Sequence, residues 1–113
     1  MKPELIRQFD SEWLVALVRR DSLDRILDVV RLDFRLPANF DFSTKDNRGH
    51  VCIARHVAAY LLRELSGWPF PRIGISFKRD HSTIVHSYEV VARRMRQNPQ
   101  FARLVERLMA ECK

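Results

Sequence analysis

The chain has 113 residues, 46% of them hydrophobic and 30% charged, with a formal net charge of +6. That length and mix fit one folded domain with a modest core and exclude a disordered chain. The positive balance favours a polyanionic partner, and no apolar run is long enough for a signal peptide or a membrane span, so we expect a cytoplasmic protein that does not enter a membrane.

Residues 3 to about 19 carry Leu5, Ile6, Phe9, Trp13, Leu14 and Leu17 at helical spacing. Asp10 and Ser11 can break this stretch, with Ser11 capping a second short helix. We treat residues 1–20 as an N-terminal helical extension and 21–113 as the main domain. The next helix is capped by Asp21 or Ser22, places Leu23, Ile26, Leu27, Val30 and Phe34 on one stripe, and stops at Leu36-Pro37-Ala38. Residues 38 to 50 form a polar loop with the least sign of order in the chain. A third helix spans about Val51 to Leu65, with Ala54, Val57, Ala58, Leu61 and Leu65 as its core stripe and Ser66-Gly67 closing it. Pro71 starts a short helix whose Ile73 and Phe77 point inward. A fifth helix is capped by Asp80 and turns Ile84, Tyr88, Val91 and Met95 to the core. Asn98-Pro99 begins the last, with Phe101, Leu104, Val105, Leu108 and Met109 as its apolar face. Gly74 to Phe77 is too short to count as a strand, so the pattern predicts a compact all-α domain of five or six helices.

The chemistry concentrates between Phe70 and Ser87. A short helix, a cationic connector (Lys78-Arg79) and a longer helix starting at Asp80-His81-Ser82-Thr83 make a helix-turn-helix. In that motif the start of the second helix meets base edges in the major groove. Asp80 can accept from an exocyclic amine, His81 can donate or accept, and Ser82 can bond a base or a phosphate. His81, Ser82, Val85 and His86 share the face opposite the core stripe. Lys78 and Arg79 are placed to hold phosphate or reach guanine. From spacing alone, a capped surface helix with a polar first turn fits as well.

Three segments go further. "KRDHSTIVHS" (Lys78 to Ser87) resembles the GGRDHTTVxHA signature in the C-terminal domain of bacterial chromosomal replication initiators, the DnaA family. "ARHVAAYLLREL" (Ala54 to Leu65) is similar to that domain's ARQxAMYLxREL helix, and "FPRIG" (Phe70 to Gly74) to its LPxIG segment. Order and distances agree, apart from one residue fewer before the signature, over roughly residues 22 to 112. The resemblance implies binding of double-stranded DNA in the nucleoid, with Asp80, His81 and Ser82 reading bases and Arg48 entering the minor groove beside Lys45. It implies backbone contacts from His56, Arg63, Phe70 and Pro71, with Thr83 and His86 supporting the base contact or touching the backbone; Lys45, Lys78 and Arg79 join the expected backbone set. On a helix, His56 and Arg63 share a face.

The chain departs from the family pattern in several places. Ser82 replaces a threonine and loses a methyl that could pack on thymine. Phe77 and Lys78 replace two glycines, and the loop is poorer in arginine and contains Asp46. No G-x-x-x-x-G-K-[ST] phosphate loop occurs in the chain, so we expect no nucleotide cofactor and no ATPase activity. The chain opens with Met1 and carries an extra helical stretch, so a small freestanding protein is expected, with a domain cut from a larger one as the alternative.

Other constellations carry less. Cys52 and Cys112 fit no metal or redox spacing and read as reduced thiols. His50 and His56, and His81 and His86, miss the i, i+4 spacing of a zinc helix, so no metal is expected. Cys52 has no third group to make it a nucleophile, so no catalytic residue is assigned and the protein is not expected to be an enzyme. Trp13, Trp68 and Phe77 read as core plugs, with Phe70 at the DNA rim. The N-terminal helix can pack on its own domain or on a second copy as a homodimer. The function expected is sequence-specific duplex binding at initiator-type boxes, regulating replication initiation or transcription. The alternative is a protein-interaction module that keeps the fold and binds the initiator or another partner.

Overall fold

The computed structural model describes the backbone of residues 12–112 and the side chains of residues 23–112. Five helices follow in order: α1 (Glu12–Asp33), α2 (Gly49–Ser66), α3 (Phe70–Phe77), α4 (His81–Gln97) and α5 (Pro99–Cys112). No strand occurs among the described residues, as the helical periodicity predicted.

The break expected at Asp21 or Ser22 is absent, because α1 runs through both positions. Aspartate and serine cost a helix interior only a few tenths of a kcal/mol relative to good helix formers, roughly, and the flanking leucines and valines continue the turn. The break proposed at Asp10-Ser11, the packing of Trp13 and the docking of the N-terminal stretch fall outside the described residues. α1 ends where Arg35 turns left-handed at φ 56° and the Leu36 N–H closes back on the Arg31 carbonyl at 2.8 Å.

α2 is the central helix and touches each of the other four. Its inward face is Val51, Ala54, Val57, Ala58, Leu61 and Leu62, all fully buried. Ile26 and Val30 from α1, Ile73 and Phe77 from α3, Ile84 and Val91 from α4, and Val105 and Leu108 from α5 complete one core. Burying a side chain of this kind is worth about 1.5–3 kcal/mol.

The helix ends follow the capping residues. Gly67 closes α2 at φ 65°, with its N–H on the Arg63 carbonyl and the Trp68 N–H on that of Leu62. The Asn98 side chain accepts from the Gln100 and Phe101 N–H groups at 3.0 and 3.1 Å, which places Pro99 at the first position of α5.

The segment between α1 and α2 corrects a second expectation. It has no regular structure, yet it is anchored. Phe42 is 3% exposed and stacks on Phe77 with ring centres 5.9 Å apart, while Phe40 meets Phe42 edge-on. The Arg31 guanidinium lies over the Phe42 ring, 5.3 Å from its centre, and donates to the Phe40 carbonyl. The polar count predicted looseness here, and two buried aromatic contacts override it.

Candidate nucleic-acid interface

The turn between α3 and α4 is tight for a local reason. Lys78 adopts the left-handed conformation (φ 51°, ψ 46°) as the C-cap of α3, and the Arg79 N–H bonds to the Gly74 carbonyl at 2.8 Å. The chain then crosses directly over Gly74, where a Cβ atom would sit 2.6 Å from the Arg79 carbonyl oxygen. Only glycine fits beneath this turn.

Asp80 follows as the N-cap of α4 in extended conformation (φ −64°, ψ 147°). Its carboxylate accepts the Ser82 hydroxyl at 2.5 Å and lies 3.6 Å from His81 Nδ1. The Ser82 hydrogen bond, opposed by slight burial and aided by His81, holds the Asp80 carboxyl below its ordinary range, so it stays ionised. Both side chains are open to solvent, His81 at 63% and Asp80 at 70%. Ser82, Thr83 and His86 are exposed as well. The acid, imidazole and hydroxyl chosen from the sequence thus occupy one exposed helical turn.

The expected backbone contacts fall into two groups around that turn. His56 on α2 faces His86 on α4, with their rings edge-on at 6.3 Å. Arg63, also on α2, lies over the Phe70 ring at 4.7 Å and donates to the Trp68 carbonyl at 3.1 Å. Phe70 also meets Tyr88 edge-on. Tyr88 stacks on Tyr60 and donates its hydroxyl to Glu64, which pushes the Tyr88 phenol up to about 12. Pro71 and Lys78 are exposed at the two ends of α3.

Arg79 is placed differently from the other cations. It is half-buried, and its guanidinium donates to the carbonyls of Phe77 and Lys78 in its own turn and of Ser43 and Thr44 in the loop. Its donors therefore tie the helix-turn-helix to the loop between α1 and α2. Arg55 completes that tie. It is 5% exposed and donates to the carbonyls of Phe42, Thr44 and Asp46 at 3.1, 3.0 and 2.9 Å. A buried guanidinium needs such partners, because an unpaired polar group there costs about 1–3 kcal/mol or more.

At the far end of the loop, Lys45 is exposed. Arg48 is 68% exposed and forks onto the Asp46 carboxylate at 2.7 Å, which also accepts the Arg48 N–H at 3.0 Å. These bonds lower the Asp46 carboxyl to about 2. Arg48 therefore reaches the rim of the interface already paired.

Arg55 and Ser87 carry roles that the sequence reading did not assign. Both had a usable signal. Arg55 sits at core-facing spacing between Val51 and Leu62, and Ser87 lies on the inward stripe between Ile84 and Val91. A polar residue on a buried stripe must find a partner. Among the described residues no group of three or more metal-ligating side chains comes together, and no helix is long and apolar enough to cross a membrane.

Comparison with known proteins bears on this arrangement. The family model for the bacterial dnaA protein helix-turn-helix matches residues 23–91. The chain is 34% identical over 73 residues to the chromosomal replication initiator protein DnaA of Caldanaerobacter subterraneus subsp. tengcongensis, covering 65% of this chain and 16% of that protein. It is 33% identical over 73 residues to the protein of the same name from Thermoanaerobacter sp. strain X514, with the same coverage of each. A crystal structure of a DNA replication initiation factor superposes with a TM-score of 0.74 at 27% identity, covering 96% of this chain and 34% of that one. The chain thus spans a small part of the curated relatives it matches.

Proposed function

The chain belongs to the bacterial DnaA helix-turn-helix family, and on that premise we propose that it binds double-stranded DNA with sequence specificity at initiator-type boxes. The observation that carries this reading is the exposed first turn of α4, where Asp80, His81 and Ser82 stand clear of the core. The turn is held rigidly by the close crossing over Gly74, so the three groups enter the major groove as a unit. His56, His86, Phe70, Pro71, Lys78 and Thr83 flank it and meet the phosphates on either side. The loop, fixed by Arg55 and Arg79, carries Lys45 and Arg48 toward the adjacent minor groove. The +6 net charge supplies the non-specific attraction that brings the duplex in. The role we infer for such box occupancy is regulation of replication initiation or transcription.

The test is a titration of labelled duplexes, one carrying an initiator-type box and one scrambled, at several salt concentrations. The box should bind more tightly. Asp80→Ala and His81→Ala should each narrow the ratio of the two affinities, by about fivefold to 150-fold for a lost base contact of about 1–3 kcal/mol. Lys45→Ala should weaken both duplexes alike and flatten the salt slope by up to about one unit. Equal affinity for box and scramble removes the specificity. No binding to either at low salt leaves the same face as a surface for a protein partner.

A further inference from the structure

The two helices that carry the interface meet at a hydrogen-bonded histidine. His56 Nδ1 of α2 lies 2.7 Å from Ser87 Oγ of α4, and Ser87 is 2% exposed. The Ser87 hydroxyl also lies 3.1 Å from the Thr83 carbonyl, one helical turn back. A carbonyl only accepts, and serine has one proton to give. If that proton pointed at His56, two oxygens would face each other through their lone pairs with nothing between them. The serine therefore donates to Thr83, and His56 donates Nδ1–H to the serine. In a neutral imidazole one nitrogen donates and the other accepts. His56 Nε2 thus carries a lone pair, and no described residue bonds to it. A phosphate oxygen also presents lone pairs, so neutral His56 has nothing to offer it. The imidazolium, with Nε2–H, does.

We propose that Ser87 is a positioning residue that locks His56 in this tautomer, so that His56 grips a DNA phosphate only after taking up a proton. This rests on the reading of the α2–α4 face as a DNA surface. The free protein resists that proton. Burial, then His86 from α4, then Arg55 from its own helix hold the His56 imidazole below its ordinary range. An incoming phosphate supplies the opposite charge and reverses the balance. Duplex affinity is therefore linked to proton uptake, and it rises as pH falls.

The experiment measures box-duplex affinity of the full chain from about pH 8 to about pH 5.5 at fixed salt, for wild type and for His56→Gln, Ser87→Ala, His81→Gln and His86→Gln. Wild-type affinity should rise toward low pH, by at most about tenfold per unit for one linked proton. His56→Gln keeps a donor without titrating and should flatten this rise, beyond any flattening by the other two histidine variants. Ser87→Ala frees the opposite neutral tautomer, whose Nε2–H can donate, so it should bind more tightly than wild type near pH 8 and show a shallower profile. Imidazole nitrogen shifts of the free protein should report Nδ1–H on His56 in wild type and a shift toward Nε2–H in Ser87→Ala. Nε2–H in the wild type overturns the proposal. So does a Ser87→Ala variant that binds less tightly at pH 8 with an unchanged slope. Wild-type binding that ignores pH overturns this inference alone, whereas a wild type that binds no duplex at any pH overturns the DNA reading and this inference with it.

Discussion

The two parts of the candidate interface are ordered by opposite means. The first turn of α4 is fixed by its own backbone. A left-handed residue and a glycine crossing set its position, and its side chains stand in solvent. The loop between α1 and α2 has no regular backbone bonding and is fixed from outside. Phe42 pins it to α3, while Arg55 and Arg79 gather the carbonyls of Phe42, Ser43, Thr44 and Asp46. One region presents exposed groups that bond only to one another. The other has its cation Arg48 already engaged with Asp46. Order in a binding surface can thus come from local geometry or from tertiary hydrogen bonds, and the two should fail differently.

The largest expected effect is on the loop. Phe42→Ala removes a ring from a fully packed site and should cost about 3–5 kcal/mol, read as a lower urea midpoint. Gly74→Ala attacks the other region. Its methyl collides with the Arg79 carbonyl and should cost about 1–3 kcal/mol. It should also lower the ratio of box to scramble affinity more than affinity for the scramble, because the collision displaces the α4 start. Arg79→Met cuts the link between the regions and should cost about 1–2 kcal/mol. Amide exchange should then speed up at residues 43 to 46 while α4 stays protected. If both regions loosen together, they form one cooperative unit and the contrast fails.

Two smaller effects sharpen the picture. Lys78→Gly removes a side chain from a left-handed position and should stabilise the fold by up to about 1 kcal/mol, while losing a cation near the duplex. A raised melting temperature with a flatter salt slope would separate those two consequences. The last effect concerns pH. The folded protein holds His56 below the usual 6.5, so the unfolded chain binds the proton more readily. Stability from this group is complete above that ordinary value and is lost as pH falls below it. Urea midpoints should therefore drop between about pH 6.5 and pH 5 by more in wild type than in His56→Gln.

The sequence made much of this legible, for identifiable reasons. Apolar residues at helical spacing gave α2, α4 and α5 and most of their buried faces. Asn98-Pro99, Ser66-Gly67 and Asp80 marked ends, because capping is a local matter of one or two residues. The polar outer turn of α4 followed from the same stripe read in reverse. Less legible were features that depend on distant partners. Asp21 and Ser22 have the chemistry of a cap, but α1 continues through them. The polar loop lacks any periodicity, so its anchoring by Phe42 is invisible until α3 supplies the facing ring. Arg79 reads as a free cation beside the recognition turn until the loop carbonyls come within reach.

The amino-acid order alone thus determined most of the helices, the ends of α2 and α5 and the exposed acid, imidazole and hydroxyl, because these depend on side-chain spacing and on bonds a few residues long. Only the folded chain decided which cations are free. Arg55, Arg79 and His56 find their partners 9 to 36 residues away, and no local rule links groups that far apart. Burial makes those bonds obligatory, since a polar group removed from water must be satisfied by whatever the packing brings to it.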